Sequence, residues 1–230
     1  MNHEAIVREF LKNRTSAPPP GSGLPFVTIS RQAGAGGNTL AHQLVKTLSS
    51  RYTLNATSGW EVFDQKLCTL VLEDGKIKAS LESLLAEEYV SEIRQFVGDL
   101  LSGQSRQYAA YKRIFEVVRL LASIGKVVLV GRAAAFVTRD MPQGIRVRLV
   151  AGEAERIKNM AALLRVHAED AEAAMREQDL SRARLVRDYF DADVADPLHY
   201  HMVFNTEKMP MAEIAEVIAE RVAARVRPQR

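Results

Sequence analysis

The sequence predicts an α/β fold in which a parallel sheet carries helices on both faces. Short apolar runs that suit buried strands recur along the chain, as in LPFVTIS (24–30), KVVLVG (126–131) and IRVRLV (145–150). The stretches between them carry apolar residues at helical spacing, so strands and helices alternate. With 230 residues, the chain is long enough for one such domain with a buried core.

The first 23 residues are predicted to lie outside this domain. Residues 1–14 form a charged, amphipathic segment whose apolar residues share one side of a helix. The next segment, TSAPPPGSG (15–23), contains three prolines and two glycines, which favour a linker over a helix. We therefore expect an N-terminal helix, a linker and a main domain at 24–230.

Five strands are predicted in the main domain, each separated from the next by a helical pattern or a turn. They span residues 24–30, 59–63, 126–131, 145–150 and 199–205. The helical patterns fill about 36–50, most of 65–124 with breaks near 73–76 and 102–105, and then 153–165, 168–190 and 212–226. Ligands of such parallel sheets bind beyond the carboxyl ends of the strands, so residues that directly follow a strand are the candidate site residues.

The composition narrows the classes of partner. The net charge of +3 fits an anionic small molecule, whereas no block of Lys and Arg indicates a nucleic-acid surface. Cys68 is the single cysteine and lies in the apolar segment KLCTLVL (66–72), so we interpret it as a core residue in a reducing compartment. No run approaches the roughly 18 apolar residues of a membrane span, and the N-terminus lacks a signal-peptide core. We therefore expect a cytoplasmic protein without a membrane partner.

The strongest local motif is FVTISRQAGAGGNTLAHQLV (26–45), in which a strand pattern leads through a glycine-rich turn into a helical pattern. Glycines let the backbone approach an anion, and the start of a helix presents free N–H groups, so the motif favours a di- or triphosphate. The candidate phosphate-binding residues are Ser30, Gly34, Ala35, Gly36, Gly37, Asn38 and Thr39.

This loop departs from the two common nucleotide-binding patterns. Against G-x-x-x-x-G-K-[ST], Gly36 matches the second glycine. Arg31 takes the place of the first glycine, Gly37 that of the lysine and Asn38 that of the hydroxyl residue. Against the G-x-G-x-x-G pattern of dinucleotide-binding proteins, Thr39 replaces the last glycine. From the pattern alone, a phosphate loop, a dinucleotide loop and a plain strand-to-helix turn all stay open.

Four further segments extend the pattern: VFDQKL (62–67), VVLVGRAAAFV (127–137), DLSRARLVRDYF (179–190) and DPLHYHMVFNT (196–206). Together with the glycine loop, and in this order, they resemble the motifs of the cytidylate kinase-like family over essentially residues 24–226. The resemblance implies a P-loop NTPase fold of the nucleoside monophosphate kinase type, with a five-stranded parallel sheet in the order 2-3-1-4-5 and a helical lid. It also implies ATP and Mg²⁺ as cofactors, and a lysine-less loop as a property of the family.

The resemblance assigns roles at the loop and on the acceptor side. Asn38 replaces the arginine that the family commonly carries, so we expect Arg31 to supply the cation, with bracing of the loop by a carboxylate as the alternative. Arg132 matches the arginine that grips the acceptor phosphate, although Ala133 follows it where true cytidylate kinases have aspartate. Asp64 is expected to contact the acceptor or a magnesium-bound water, with capping of the next helix as the alternative.

Arginines of the lid are the remaining candidates. At 100° per residue, Arg176, Arg184 and Arg187 share one arc of a helix. Arg182 lies on the opposite, apolar side, where a phosphate or the nearby Asp179 would be its partner. We expect Arg182, Arg184 and Arg187 to stabilise the transferred phosphate. Arg176 is expected to contact the acceptor, and Arg156 is expected to contact the adenine or to belong to the lid. For the arginines of the lid, a solvated basic helix face is the alternative.

The sequence therefore predicts ATP-dependent phosphorylation of a nucleoside monophosphate, with CMP or dCMP as candidates. The lid is expected at about 153–190, and the helical region at about 65–124 is expected to cover the acceptor. The protein ligand of Mg²⁺ is left open between Thr39 and Asp64 acting through a water. A non-catalytic nucleotide sensor and a Rossmann-type dinucleotide protein are the alternative functions, and homodimerisation is left open.

Overall fold

The structure, a computed structural model, describes residues 3–12, 23–51, 59–100 and 106–226. Its centre is a sheet of five strands: β1 Phe26–Arg31, β2 Glu61–Phe63, β3 Val127–Val130, β4 Gly144–Val150 and β5 Met202–Asn205. All four pairings are parallel, and the strand order is β2-β3-β1-β4-β5. The predicted parallel sheet and its order are therefore confirmed.

The helices fill the stretches between the strands. They are α1 His3–Lys12, α2 Gly37–Arg51, α3 Gln65–Glu73, α4 Gly75–Glu82, α5 Glu87–Leu100, α6 Arg106–Ile124, α7 Ala134–Val137, α8 Glu153–Leu164, α9 Ala168–Phe190 and α10 Met211–Val226. The short α7 was not predicted, and the helical region after β2 has an additional break at 83–86. The predicted start of β5 was three residues too early, because Pro197 opens a 3₁₀ turn that Asp196 caps.

The two faces of the sheet bury two different cores. Val27 and Ile29 of β1 pack with residues of α2 and α10 on one face. Phe26 packs with residues of α3, α6 and α7 on the other. Side chains alternate along each strand, and Ser30 is the register partner of Arg148 on β4. These two polar residues therefore share the second face, close to the carboxyl edge of the sheet.

The N-terminal helix α1 packs on the main domain. Val7 and Phe10 are 0% and 3% exposed, and the Phe10 ring meets Phe63, the last residue of β2, edge to face at 5.1 Å. Apart from Gly23, the linker predicted after this helix lies outside the described residues. Among the helices that the structure describes, none is long and apolar enough to cross a membrane.

Candidate functional site

The glycine-rich turn lies between β1 and α2, at the carboxyl edge of the sheet. Gly34 and Gly36 have φ angles of +79° and +80°, a region that residues with a Cβ rarely adopt. The turn leads directly into the first residues of the 15-residue α2. Free N–H groups and the helix dipole at that terminus favour an anion. The backbone here therefore suits a phosphate group.

Arg31, the last residue of β1, sends its side chain across this turn. A Cβ added at Gly37 would lie 3.0 Å from the Cγ and 3.2 Å from the Cδ of Arg31. A Cβ added at Gly131, directly after β3, would collide with the Arg31 guanidinium. The Arg31 side chain therefore lies against both glycines, and a side chain at position 37 or 131 would require it to shift.

The Arg31 side chain is half-buried and has no ion pair. No carboxylate among the described residues lies within 4.0 Å of it. Burial lowers the pKa of Arg31 from 12.5 to about 10, and repulsion by Arg182 and Arg132 adds to the shift. Arg31 still carries its charge at neutral pH. Asp64 and Asp179 offset part of this shift from beyond ion-pair distance. A partly buried charge without a counter-ion in contact is still costly, so this geometry favours the binding of an anion.

A cavity of about 50 Å³ lies beside Arg31. Its polar lining comes from Ser30, Arg31, Arg132 and Arg182, and the rest of its wall is mainly apolar and comes from α7, α9 and the segment after α9. This volume is large enough for a few water molecules or for one phosphate group. The structure thus brings three of the predicted site arginines around one cavity.

Arg132 leaves β3 through a left-handed turn. Its φ is 55° and that of Ala133 is 52°, values that are uncommon for residues other than glycine. Its Nη2 lies 3.4 Å from the Oγ1 of Thr69 on α3. Its Nε is buried and has no hydrogen-bond acceptor among the described residues. The Nε atoms of Arg119 and Arg156 are buried without a partner as well, but Arg132 also lines a cavity in which a ligand could accept from its guanidinium.

Asp64 follows β2 and caps α3. Its Oδ1 accepts the N–H groups of Lys66 and Leu67 at 2.9 and 3.0 Å, so the capping alternative describes this oxygen. The other carboxylate oxygen is not used by the cap. Capping and contact with a ligand are therefore compatible at Asp64.

On the same helix, burial raises the pKa of the Cys68 thiol to about 12, which fits a core residue and excludes a thiolate nucleophile.

The hairpin of α8 and α9 lies directly on the glycine-rich turn, and Asp179 joins them. Its Oδ1 accepts the N–H of Ala33 at 2.7 Å and also a hydrogen bond from Arg182 at 3.1 Å. Its Oδ2 accepts from Arg156 at 2.6 Å. The side chain of Asn159 on α8 reaches the carbonyl of the turn as well. The lid is therefore closed on the loop, with one carboxylate bridging a loop N–H and two lid arginines.

The other predicted lid arginines are not gathered at the cavity. Arg184 and Arg187 are exposed. Arg176 is exposed and pairs with two glutamates, Glu153 at 3.1 Å and Glu172 at 2.6 Å. These three arginines are exposed, as a solvated basic face would be, and their contacts with phosphate or acceptor stay predictions.

Arg156, the predicted contact for adenine, interacts with other residues of the protein. Its guanidinium pairs with Asp179 and donates to the carbonyl of Ala33 at 3.4 Å. The side chain is 11% exposed. Arg156 therefore joins α8 to α9 and to the loop, and its contact with adenine stays a prediction.

Two neighbours of the site were not identified from the sequence. Arg148 of β4 is 6% exposed and donates to the Oγ of Ser30 at 3.0 Å. The hydroxyl of Tyr200 lies 3.2 Å from the same Oγ. The sequence does contain a signal for Arg148. An inner strand of a parallel sheet is covered on both faces, so an arginine within it is unusual and marks a candidate site residue.

The described residues contain no cluster of three or more His, Cys, Asp or Glu that could hold a metal ion. Magnesium in phosphate-transfer sites usually needs only one or two protein ligands, because the substrate phosphates and waters supply the others. Asn38 and Thr39 are exposed at the start of α2, and Asp64 lies at the same edge of the sheet. The loop and the cations of Arg31 and Arg132 at the cavity fit a phosphate chain that carries its own magnesium.

Comparison with solved structures shows the same fold elsewhere. An uncharacterized protein from Eubacterium ventriosum ATCC 27560 matches with a TM-score of 0.66 and 18% identity, over 87% of this chain and 99% of that chain. A shikimate kinase from Bacteroides thetaiotaomicron matches with a TM-score of 0.42 and 13% identity, over 88% of this chain and 98% of that chain; this likeness is too distant to support an inference. Among curated protein sequences, none matches.

The sequence match that decides the family spans the whole candidate site. The model of the cytidylate kinase-like family matches residues 26–208, which include the glycine-rich turn, Arg132, the lid and β5. This range is most of the chain, so the resemblance seen in the sequence and the expected P-loop kinase fold are confirmed. The protein belongs to the cytidylate kinase-like family.

Proposed function

We propose that this protein transfers the terminal phosphoryl group of ATP to a nucleoside monophosphate, with CMP and dCMP as the first acceptors to test. Family and fold support a nucleotide-kinase-like function in general. The observation that carries the finer proposal is the path of Arg31, which runs over Gly37 and brings a half-buried cation without an ion pair to the loop.

In this proposal Arg31 takes the role that the lysine has in the usual loop, and Gly37 takes the place of that lysine. In G-x-x-x-x-G-K-[ST], the lysine follows the second glycine and reaches the β- and γ-phosphates. Here the cation comes from the position of the first glycine, and a glycine stands where the lysine would be. A lysine at 37 would also be obstructed by the stem of Arg31. The loop therefore keeps one cation, supplied from the other side.

Phosphoryl transfer is catalysed mainly by positioning and by cations that stabilise charge on the moving group. Bound ATP with magnesium would supply that group. Arg31, Arg132 and Arg182 line one cavity and would hold phosphate oxygens from three sides. No general base is needed, because the acceptor phosphate is already an anion. The closed lid would exclude water from the transfer.

The remaining arginines have smaller parts in this proposal. Arg156 acts through Asp179, because their ion pair keeps the lid on the loop. Arg176, Arg184 and Arg187 face solvent and would reach a phosphate only after a further rotation of the lid. The proposal does not depend on these three residues.

A nucleotide sensor without turnover is the second candidate. Asp179 favours it, because its carboxylate already takes the N–H of Ala33 and one donor of Arg182, two groups that a phosphate oxygen would use. A nucleotide that displaced this carboxylate would release the lid and signal its own binding. The dinucleotide alternative loses support, because β3 and not β2 lies beside β1.

The test is release of ADP from ATP and Mg²⁺ by the full chain, against a panel of nucleoside monophosphates and other phosphorylated metabolites. Arg132→Ala should abolish acceptor-dependent release, whereas the exposed Arg139→Ala should keep it. Tight ATP binding by calorimetry without turnover on any acceptor would select the sensor. Absence of both turnover and ATP binding would reject both candidates.

A further inference from the structure

Arg148 is a buried cation without a counter-ion. It lies within β4 and is 6% exposed. Among the described residues, no carboxylate comes within 4.0 Å of its guanidinium. Arg148 repels another cation, Arg182, whose pKa is lowered mainly by burial and in part by this repulsion. Burial of an unpaired charge is unfavourable, so a structural role alone does not account for this residue.

Arg148 starts a chain of three hydrogen bonds whose direction is fixed by chemistry. Its guanidinium can only donate, and it donates to the Oγ of Ser30 at 3.0 Å. At the other end, the carbonyl of Val194 can only accept, and it lies 2.8 Å from the hydroxyl of Tyr200. The Tyr200 proton is therefore used at Val194, so Ser30 donates to the Tyr200 oxygen across 3.2 Å.

This chain connects two walls of the cavity that Arg31, Arg132 and Arg182 line. Ser30 forms part of one wall and directly precedes Arg31. Val194 forms part of another wall, in the segment that follows α9. Arg148 itself is not part of the lining. It stands behind Ser30, where it can orient the Ser30 hydroxyl and add positive charge without reaching the cavity.

We propose that Arg148 is a positioning residue of the phosphate cavity, and that a phosphate group in this cavity is its missing counter-ion. Arg148 holds Ser30 and, through Tyr200, Val194 in the arrangement that accepts the anion. Its charge adds to that of the arginines that touch the phosphate. This inference rests on the proposed function, because it takes the cavity as the place where a phosphate group binds.

A matched control is present on the same strand. Arg146 precedes Arg148 by two residues, so its side chain leaves the same face of β4. It is half-buried, and its Nη1 lies 3.3 Å from the carbonyl of Thr138, away from the cavity lining. A general effect of removing an arginine from β4 would appear at both positions. An effect on the anion would appear at Arg148 alone.

The experiment compares Arg148→Gln, Arg148→Lys and Arg146→Gln in the full chain. The dissociation constant of inorganic phosphate is measured by calorimetry at a temperature where all variants are folded. We expect Arg148→Gln to raise this constant about tenfold, because a charge-assisted contribution is lost. Arg148→Lys should restore most of the affinity, and Arg146→Gln should stay within about twofold of the unaltered protein. In turnover, Arg148→Gln should raise KM for the acceptor more than it lowers kcat.

The outcomes separate this inference from the proposed function. Unaltered phosphate affinity in Arg148→Gln, or equal losses in Arg148→Gln and Arg146→Gln, would overturn the inference and leave the proposed kinase intact. Failure of the unaltered protein to bind phosphate or any nucleoside monophosphate would overturn both. If Arg148→Gln does not fold, Tyr200→Phe serves as the test, because it removes the proton that is donated to Val194. A weaker phosphate affinity would support the chain of hydrogen bonds, and an unchanged affinity would reject it.

Discussion

Two buried arginines of similar exposure stand in opposite electrostatic situations. Arg119 on α6 is 7% exposed and makes a two-point ion pair with Asp140, at 2.8 and 2.9 Å. It also donates to a backbone carbonyl at 2.9 Å, and its guanidinium lies 3.7 Å from the centre of the Phe96 ring. Arg148 is 6% exposed and has a hydroxyl and a more distant ring, at 5.6 Å, in place of a carboxylate.

The difference shows how structural and functional cations can be told apart. Around Arg119 the protein supplies the counter-charge and acceptors for both terminal nitrogens, although the Nε of Arg119 has no partner among the described residues. At the carboxyl edge of the sheet, Arg31, Arg132 and Arg148 lack an ion pair within the described residues. Uncompensated positive charge that collects at one place indicates an anionic ligand.

Removal of the loop cation should have the largest effect. Arg31→Ala is expected to lower acceptor-dependent turnover by roughly 10²–10³-fold, because an electrostatic contact to the transferred phosphate is lost. The free energy of unfolding should not fall, since a half-buried cation without an ion pair is removed. Steady-state kinetics and urea unfolding measure the two quantities. Turnover within twofold of the unaltered protein would remove Arg31 from the mechanism.

Removal of Arg119, whose charge Asp140 compensates, should lower the stability and leave the turnover unchanged. Arg119→Met is expected to lower the free energy of unfolding by about 2 kcal/mol, because hydrogen bonds to a charged group are lost and Asp140 loses its partner. Turnover per folded molecule should be unchanged. Urea unfolding provides the measurement, with the exposed Arg113→Met as the control. A drop in kcat at unchanged stability would contradict the comparison.

The same ion pair predicts a pH dependence of stability. Burial raises the pKa of Asp140, but the hydrogen bonds and charge of Arg119 outweigh it and lower that pKa below 3.8. A carboxyl group with a lowered pKa in the folded state stabilises the protein above its unfolded pKa, and this contribution is lost as the pH falls through the folded pKa. The free energies of unfolding of the unaltered protein and of Arg119→Met should therefore approach each other as the pH falls from neutral to acid. A constant gap at low pH would count against the pair.

An exchange of two loop residues should partly restore what Arg31→Ala removes. Arg31→Gly combined with Gly37→Lys rebuilds the usual loop and frees the space that a side chain at 37 needs. We expect the double variant to turn over about tenfold faster than Arg31→Ala, because a lysine regains part of the contact. Gly37→Lys alone should be poorly active, since its stem meets that of Arg31. Equal rates in the double variant and Arg31→Ala would show that the cation cannot be moved.

The smallest expected effect is on the pH dependence of ATP affinity. The pKa of Arg31 is lowered to about 10, so the residue stays charged at neutral pH and loses its charge as the pH rises through that value. A bound phosphate stabilises the charged form and shifts the loss to higher pH. ATP affinity by calorimetry should therefore be level up to about pH 9 and fall above it. Arg31→Ala should lack this fall; the same fall in both would assign it to another group.

Much of the fold followed from patterns that are local in the chain. The strand and helix periods gave the five strands and the long helices, because each period is set by residues that are close in sequence. The misses were also local in cause. Pro197 turned the start of the expected fifth strand into a 3₁₀ turn, and the apolar run at 133–137 gave no signal that separates α7 from the preceding strand.

The sequence by itself determined the class of fold, the family, the glycine-rich turn and the absence of a lysine from it. Tertiary structure alone decided that Arg31 fills the space above Gly37, that Asp179 closes the lid on Ala33, and that Arg148 stands behind Ser30. The physical reason is distance along the chain. The Asp179 and Arg148 contacts join residues 146 and 118 positions apart, and whether a buried charge finds a partner depends on such contacts, which no local pattern encodes.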